Sequence, residues 1–154
     1  MLTGTIPSEW GRLTSLTWAL TLHNNQLSGT IPTEISRLTF LQDLKLSGNE
    51  LSGTIPTELG LLSSIHMLTL SNNALSGRIP DELSFTYDVL HTLSLAGNPL
   101  LSGIIPDSLC RLNGTCTSNI LFQCDGNYGL SFDCTSDLCG CGCDCGSEFK
   151  NGTL

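Results

Sequence analysis

Charge is scarce in this chain. Only 13% of its 154 residues are charged, 6 Lys and Arg against 14 Asp and Glu. Little is available to neutralise a phosphate backbone, so nucleic-acid binding is set aside. No apolar run approaches the roughly 18 to 20 residues of a membrane-spanning helix. The opening MLTGTIPSEW has no basic stretch followed by an apolar one, so it does not read as a secretory signal. Neither a GxGxxG nor a GxxxxGK phosphate loop occurs. Cysteine is missing from the first 109 residues.

Catalysis needs a nucleophile, a base and a stabiliser held together, or a metal with an open position. The only histidines are His23, His66 and His91. His66 and His91 fall on equivalent positions of adjacent blocks, which would make them neighbours at about 5 Å. With no fixed carboxylate or third ligand they would make only a weak metal site, and they read instead as exposed surface histidines. The chain is therefore expected to be no enzyme, with no cofactor and no metal.

What the sequence does have is repetition. Placing Asn25, Asn49, Asn73 and Asn98 in register divides it into blocks of 24 or 25 residues, such as QLSGTIPTEISRLTFLQDLKLSGN, with a weaker echo ending at Asn127. In LQDLKLSGN, Leu44 and Leu46 alternate with Asp43, Lys45 and Ser47, the period of a strand with one face buried. One strand and one turn cannot bury these leucines alone. Blocks must stack, each forming part of the next one's interior. The Asn column is then expected to satisfy backbone groups where the chain turns. Gly29, Gly53, Gly77 and Gly103 allow tight backbone packing, and Pro7, Pro32, Pro56, Pro80 and Pro106 fix φ ahead of a helical turn. Glu9, Glu34, Glu58 and Glu82 suit the first turn of a short helix better than a cation-binding row. Extra residues in LTWALTL, SFTYDV and NPLLSG are expected at the surface of the stack.

These blocks resemble the plant-type leucine-rich repeat, LxxLxLxxNxLSGxIPxxLGxL, over most of residues 1 to about 127. The resemblance implies a right-handed α/β solenoid with a parallel concave β-sheet. The expected organisation is about five to six repeats in 1–127 without an N-terminal cap, a cysteine-rich C-terminal cap in 128–147, and a tail in 148–154. Because Met1 falls inside the pattern, the chain is expected to be the C-terminal piece of a longer protein, with a leader or membrane anchor upstream.

All eight cysteines, Cys110, Cys116, Cys124, Cys134, Cys139, Cys141, Cys143 and Cys145, lie in the last third. Their even number fits a disulfide-held cap, with 105 possible connectivities. A metal clip on CGCGCDC and free thiols are the alternatives; zinc sites more often use CxxC or wider spacing. The segment LSFDCTSDLCGCGCDC also resembles the C-terminal segments of diatom leucine-rich-repeat proteins. Disulfides would place the chain on the secretory route, outside the cell or at its surface, and Asn113 and Asn151, each in NGT, have the form of glycosylation acceptors.

In this repeat family the variable positions between the strand leucines carry the ligand. Here they include Trp18, Thr21, His23, Asp43, Lys45, His66, Met67, Thr69, His91 and Ser94, with Gln123 and Asp125 further on. Trp18 is the best anchor for a partner, unless the insertion in LTWALTL turns it sideways into a gap. The resemblance implies recognition of a protein or glycan outside the cell. A structural or adhesive matrix component without a discrete ligand is the alternative. Ice binding on Thr5, Thr30 and Thr54 is a third reading, weakened by Arg78 and Ile104 in the same column.

Overall fold

The computed structural model describes residues 1–86, 89–104, 121–123 and 129–131. The proposed cap at 128–147, apart from 129–131, the tail, all eight cysteines, Asn113, Asn151 and Asp125 lie outside them.

Each of the first four coils contributes two short strands and one 3₁₀ helix. The LxL segments form Ala19–Thr21 (β2), Asp43–Lys45 (β4), Met67–Thr69 (β6), Thr92–Ser94 (β8) and Leu121–Gln123 (β10). They pair in parallel as one sheet in the order β2-β4-β6-β8-β10. This is the expected concave sheet.

A second parallel sheet arises from the LSG segments, for which the sequence suggested only close-packed backbone. Its strands are Thr3–Thr5 (β1), Gln26–Gly29 (β3), Glu50–Thr54 (β5), Ala74–Gly77 (β7), Leu100–Ile104 (β9) and Gly129–Ser131 (β11). They run in the order β1-β3-β5-β7-β9-β11. Gly53, at φ +78°, shows why period-2 alternation does not reveal this sheet: the strand passes through a left-handed residue. The glycine also leaves room for its neighbour. A Cβ on Gly53 would lie 2.9 Å from the Thr30 methyl, and one on Gly77 would lie 3.0 Å from the Thr54 methyl. Arg78 lays its aliphatic stem against Gly103 in the same way.

The 3₁₀ helices are Ser8–Arg12 (η1), Thr33–Arg37 (η2), Thr57–Leu61 (η3) and Asp81–Thr86 (η4). Pro7, Pro32 and Pro56 precede the first three with φ between −68° and −62°, presetting the entry. Glu9, Glu34 and Glu58 fall in the first turn, where the exposed N–H groups favour a carboxylate. Successive coils approach closely here. A Cβ on Gly60 would overlap the backbone carbonyl of Glu82, as one on Gly11 would overlap that of Glu34.

Between the sheets and the 3₁₀ layer lies one continuous core. Leu41, Leu44, Leu46, Leu51, Leu59, Leu62, Leu68, Leu70 and Leu75 are at most 1% exposed. Each contributes about 1.5–3 kcal/mol, but only because the next coil covers it. The column of asparagines stitches the coils together. The Asn49 carboxamide accepts a bond from the Leu27 N–H at 3.1 Å and donates to the Leu22 and Leu46 carbonyls at 3.0 and 2.9 Å. Asn73 and Asn98 repeat this pattern one and two coils on. The carbonyls of Leu22, Leu46 and Leu70 each receive two amides, one from their own coil and one from the next.

Candidate functional site

The exposed side of the β2-β4-β6-β8-β10 sheet is built by a small backbone irregularity repeated at Gln42, His66 and His91. Between buried Leu41 and Leu44 stand two residues, Gln42 and Asp43, where strict alternation would leave one. The extra residue is accommodated by one carbonyl serving two donors. The Trp18 carbonyl accepts from Gln42 and Asp43 at 3.0 and 2.9 Å, and the Gln42 carbonyl from His66 and Met67 at 2.7 and 3.1 Å. The His66 carbonyl accepts from His91 and Thr92 at 2.8 and 3.1 Å. Three ranks of side chains therefore cross the strands. One runs Trp18, Gln42, His66, His91; the others follow the register Ala19, Asp43, Met67, Thr92 and Thr21, Lys45, Thr69, Ser94.

Most residues expected to face a ligand do reach the surface. Trp18, Thr21, His23 and His91 are exposed; Asp43, Lys45, His66, Met67 and Thr69 are half-buried. Trp18 is 75% exposed and fills no gap. The insertion explains this: two residues, Thr17 and Trp18, separate Leu16 from Ala19, where Gln42 alone separates Leu41 from Asp43, and the surplus is pushed outward. Ser94 differs from the expectation. It is only 5% exposed, in β8 between β6 and β10, and offers a ligand little surface. His23 stands two residues beyond Thr21, at the far end of its strand.

The face is nearly neutral. Lys45 Nζ lies 2.9 Å from Asp43 Oδ2, on the same side of β4, so the two charges cancel. At about 30% exposure of each side chain the pair adds little stability. Ser71 donates a hydroxyl bond to Ser47 at 2.9 Å in the rank beyond Thr69 and Lys45. The His66 and His91 rings stack at 5.4 Å between centroids and 13° between planes, as their equivalent positions foretold.

Several apolar side chains outside this face were not anticipated. Leu100 is 59% exposed, at the place before a buried leucine where Gln26, Glu50 and Ala74 are exposed too, and Phe40 and Leu61 are exposed at 61% and 59%. The insertion in NPLLSG was legible; Phe40 and Leu61 sit at positions where neighbouring coils carry other residue types, and no periodic signal marks them. Among the described residues no helix is long and apolar enough to cross a membrane.

Known proteins place this architecture. The profile of the Leucine Rich Repeat matches residues 18–38, 40–62, 64–85 and 89–112. No curated protein sequence matches the chain. Among solved structures, the ectodomain of the receptor kinase SOBIR1 from Arabidopsis thaliana is similar at 37% identity and a TM-score of 0.75, over 85% of this chain and 67% of that one. The plant peptide hormone receptor RGFR1, in complex with RGF2, is similar at 38% identity and a TM-score of 0.74, over 85% of this chain and 20% of that one. A plant ice-binding protein is similar at 36% identity and a TM-score of 0.68, over 85% of this chain and 38% of that one. The chain thus spans two thirds of the first of these structures and a fifth of the second. With four matched repeats in a continuous stack, the chain belongs to the leucine-rich repeat family, and its repeats are of the plant type.

Proposed function

We propose that the chain is a non-catalytic recognition module that binds a protein, peptide or glycan outside the cell or at its surface, on the face of the β2-β4-β6-β8-β10 sheet. The observation that carries this reading is the three-rank surface itself. Side chains that differ from coil to coil, Trp18, His66, Met67 and His91 among them, are held on a backbone that does not vary. The similar structures include the ectodomain of a receptor kinase and a plant peptide hormone receptor in complex with RGF2. The surface has a mildly apolar centre, a cancelled ion pair and hydroxyls around it, the composition of an interface core with a polar rim. The cysteines are proposed to pair as disulfides in a C-terminal cap, and Asn113 and Asn151 to be glycosylated, both in keeping with a secretory route.

A second reading concerns the other sheet. Thr5, Thr30 and Thr54 are exposed in three consecutive coils, and a plant ice-binding protein has a similar structure. The row is short, because Arg78 takes the fourth place. One experiment separates the readings. Candidate peptides are selected on the wild-type chain and retested on Thr21→Arg/Thr69→Arg and on Thr30→Arg/Thr54→Arg, with inhibition of ice recrystallisation measured on all three. Loss of peptide binding in the first variant alone supports recognition on the concave sheet. Loss of ice activity in the second alone supports ice binding. Neither activity in the wild type leaves the structural or adhesive reading.

A further inference from the structure

The stacked histidine pair has a chemistry that recognition alone does not use. We propose that His66 and His91 form a two-ligand chelating site for a borderline divalent transition metal ion, with the remaining coordination positions open to water or to a ligand's own donor atoms. Both residues stand at the irregularity itself, immediately before the adjacent strands β6 and β8. Their backbones are fixed relative to one another by the bond from the His91 N–H to the His66 carbonyl, 2.8 Å. The ring centroids lie 5.4 Å apart, within reach of one bridging ion, and the planes are parallel within 13°, so both rings must turn out of the stack for their in-plane nitrogen lone pairs to converge.

An ion bound about 2.0–2.1 Å from each nitrogen needs the donors drawn together to about 3 Å. Rotation of both rings about χ1 and χ2, out of the stack, accomplishes this on one open face, where His91 is exposed and His66 half-buried. The nearest positions in register offer no competing cation, since Lys45 is tied to Asp43 at 2.9 Å. The net charge of −8 favours an incoming cation over the whole surface. Imidazole ligands suit Cu(II), Ni(II) and Zn(II), and affinities rise from Ni(II) to Cu(II). Among the described residues no third His, Cys, Asp or Glu joins the pair. The ion would thus retain exchangeable positions, unlike a closed structural site.

The test is a titration of the full chain with Ni(II) chloride, following paramagnetic broadening of the three histidine ring signals by NMR. Reading the rings themselves keeps binding at cysteines from interfering. His66 and His91 should broaden together, at Ni(II) concentrations about tenfold or more below those that affect His23, because two donors act on one ion. His91→Ala, at an exposed position, should shift the His66 midpoint upward by about the same factor while leaving His23 unchanged. Broadening of His66 and His91 no earlier than His23, or a His66 midpoint unmoved in His91→Ala, overturns the proposal.

Discussion

Removing Asn49 tests how the coils are joined. In Asn49→Ala the buried Leu27 N–H loses the acceptor that Asn49 provides at 3.1 Å, at a cost of about 1–3 kcal/mol for an orphaned buried donor. The Leu22 and Leu46 carbonyls each lose one of two amides, yet keep those of Asn25 and Asn73 at 2.9 and 3.1 Å. Each lost bond adds about 0.5–1.5 kcal/mol. The sum centres near 4 kcal/mol, a large share of the stability of a small domain. Asn25, by contrast, is half-buried, accepts from the exposed Leu2 N–H and loses chiefly its 2.9 Å bond to the Leu22 carbonyl, so Asn25→Ala should cost only about 0.5–1.5 kcal/mol. Asn49→Asp keeps the acceptor but turns a carboxylate toward two carbonyl oxygens. That raises the folded-state pKa of the introduced group, so the variant should be weakest at neutral pH and recover as pH falls through the carboxylate range. Urea unfolding followed by circular dichroism measures all three. Equal losses for Asn49→Ala and Asn25→Ala, within about 0.5 kcal/mol, would refute the inter-coil bonding scheme.

Three further outcomes follow from the same structure. Gly60→Ala should destabilise by about 2–4 kcal/mol, because its Cβ overlaps the Glu82 carbonyl, while Ser36→Ala at the equivalent place one coil earlier should stay within about 1 kcal/mol; thermal melts compare them. Trp18→Ala should leave stability within about 0.5 kcal/mol, since Trp18 is 75% exposed, yet weaken capture of a concave-face ligand by tenfold or so in a binding titration. Thiol titration of the unfolded, unreduced chain, with metal analysis of the same sample, should find no free thiol and no stoichiometric metal; eight free thiols without metal would remove both the cap and the compartment it implies.

The parts legible in the sequence are those where one local rule repeats. Alternation at Leu44 and Leu46 gave the concave strands, the 25-residue offset between His66 and His91 gave their contact, and the prolines gave the helical turns. The second sheet escaped because Gly29, Gly53 and Gly77 have positive φ and break the two-residue period on which strand reading depends. The fit between Thr30 and Gly53 is a contact between coils and has no signature within either one. Trp18 posed a different difficulty: the sequence marked the insertion but left open whether its extra residue would turn inward or outward. The burial of Ser94 sets it apart from Lys45 and Thr69, its half-buried equivalents in the same rank, and no feature of its own coil marks that difference.

Amide hydrogen exchange resolved by residue tests the mutual shelter of the coils most directly. The N–H groups of Leu27, Leu51 and Leu75, each held by an asparagine of the following coil, should exchange only through opening of the stack, orders of magnitude more slowly than the exposed Leu2 N–H held by Asn25. Exchange at Leu51 as fast as at Leu2 would mean that neighbouring coils do not protect one another, and would contradict the account.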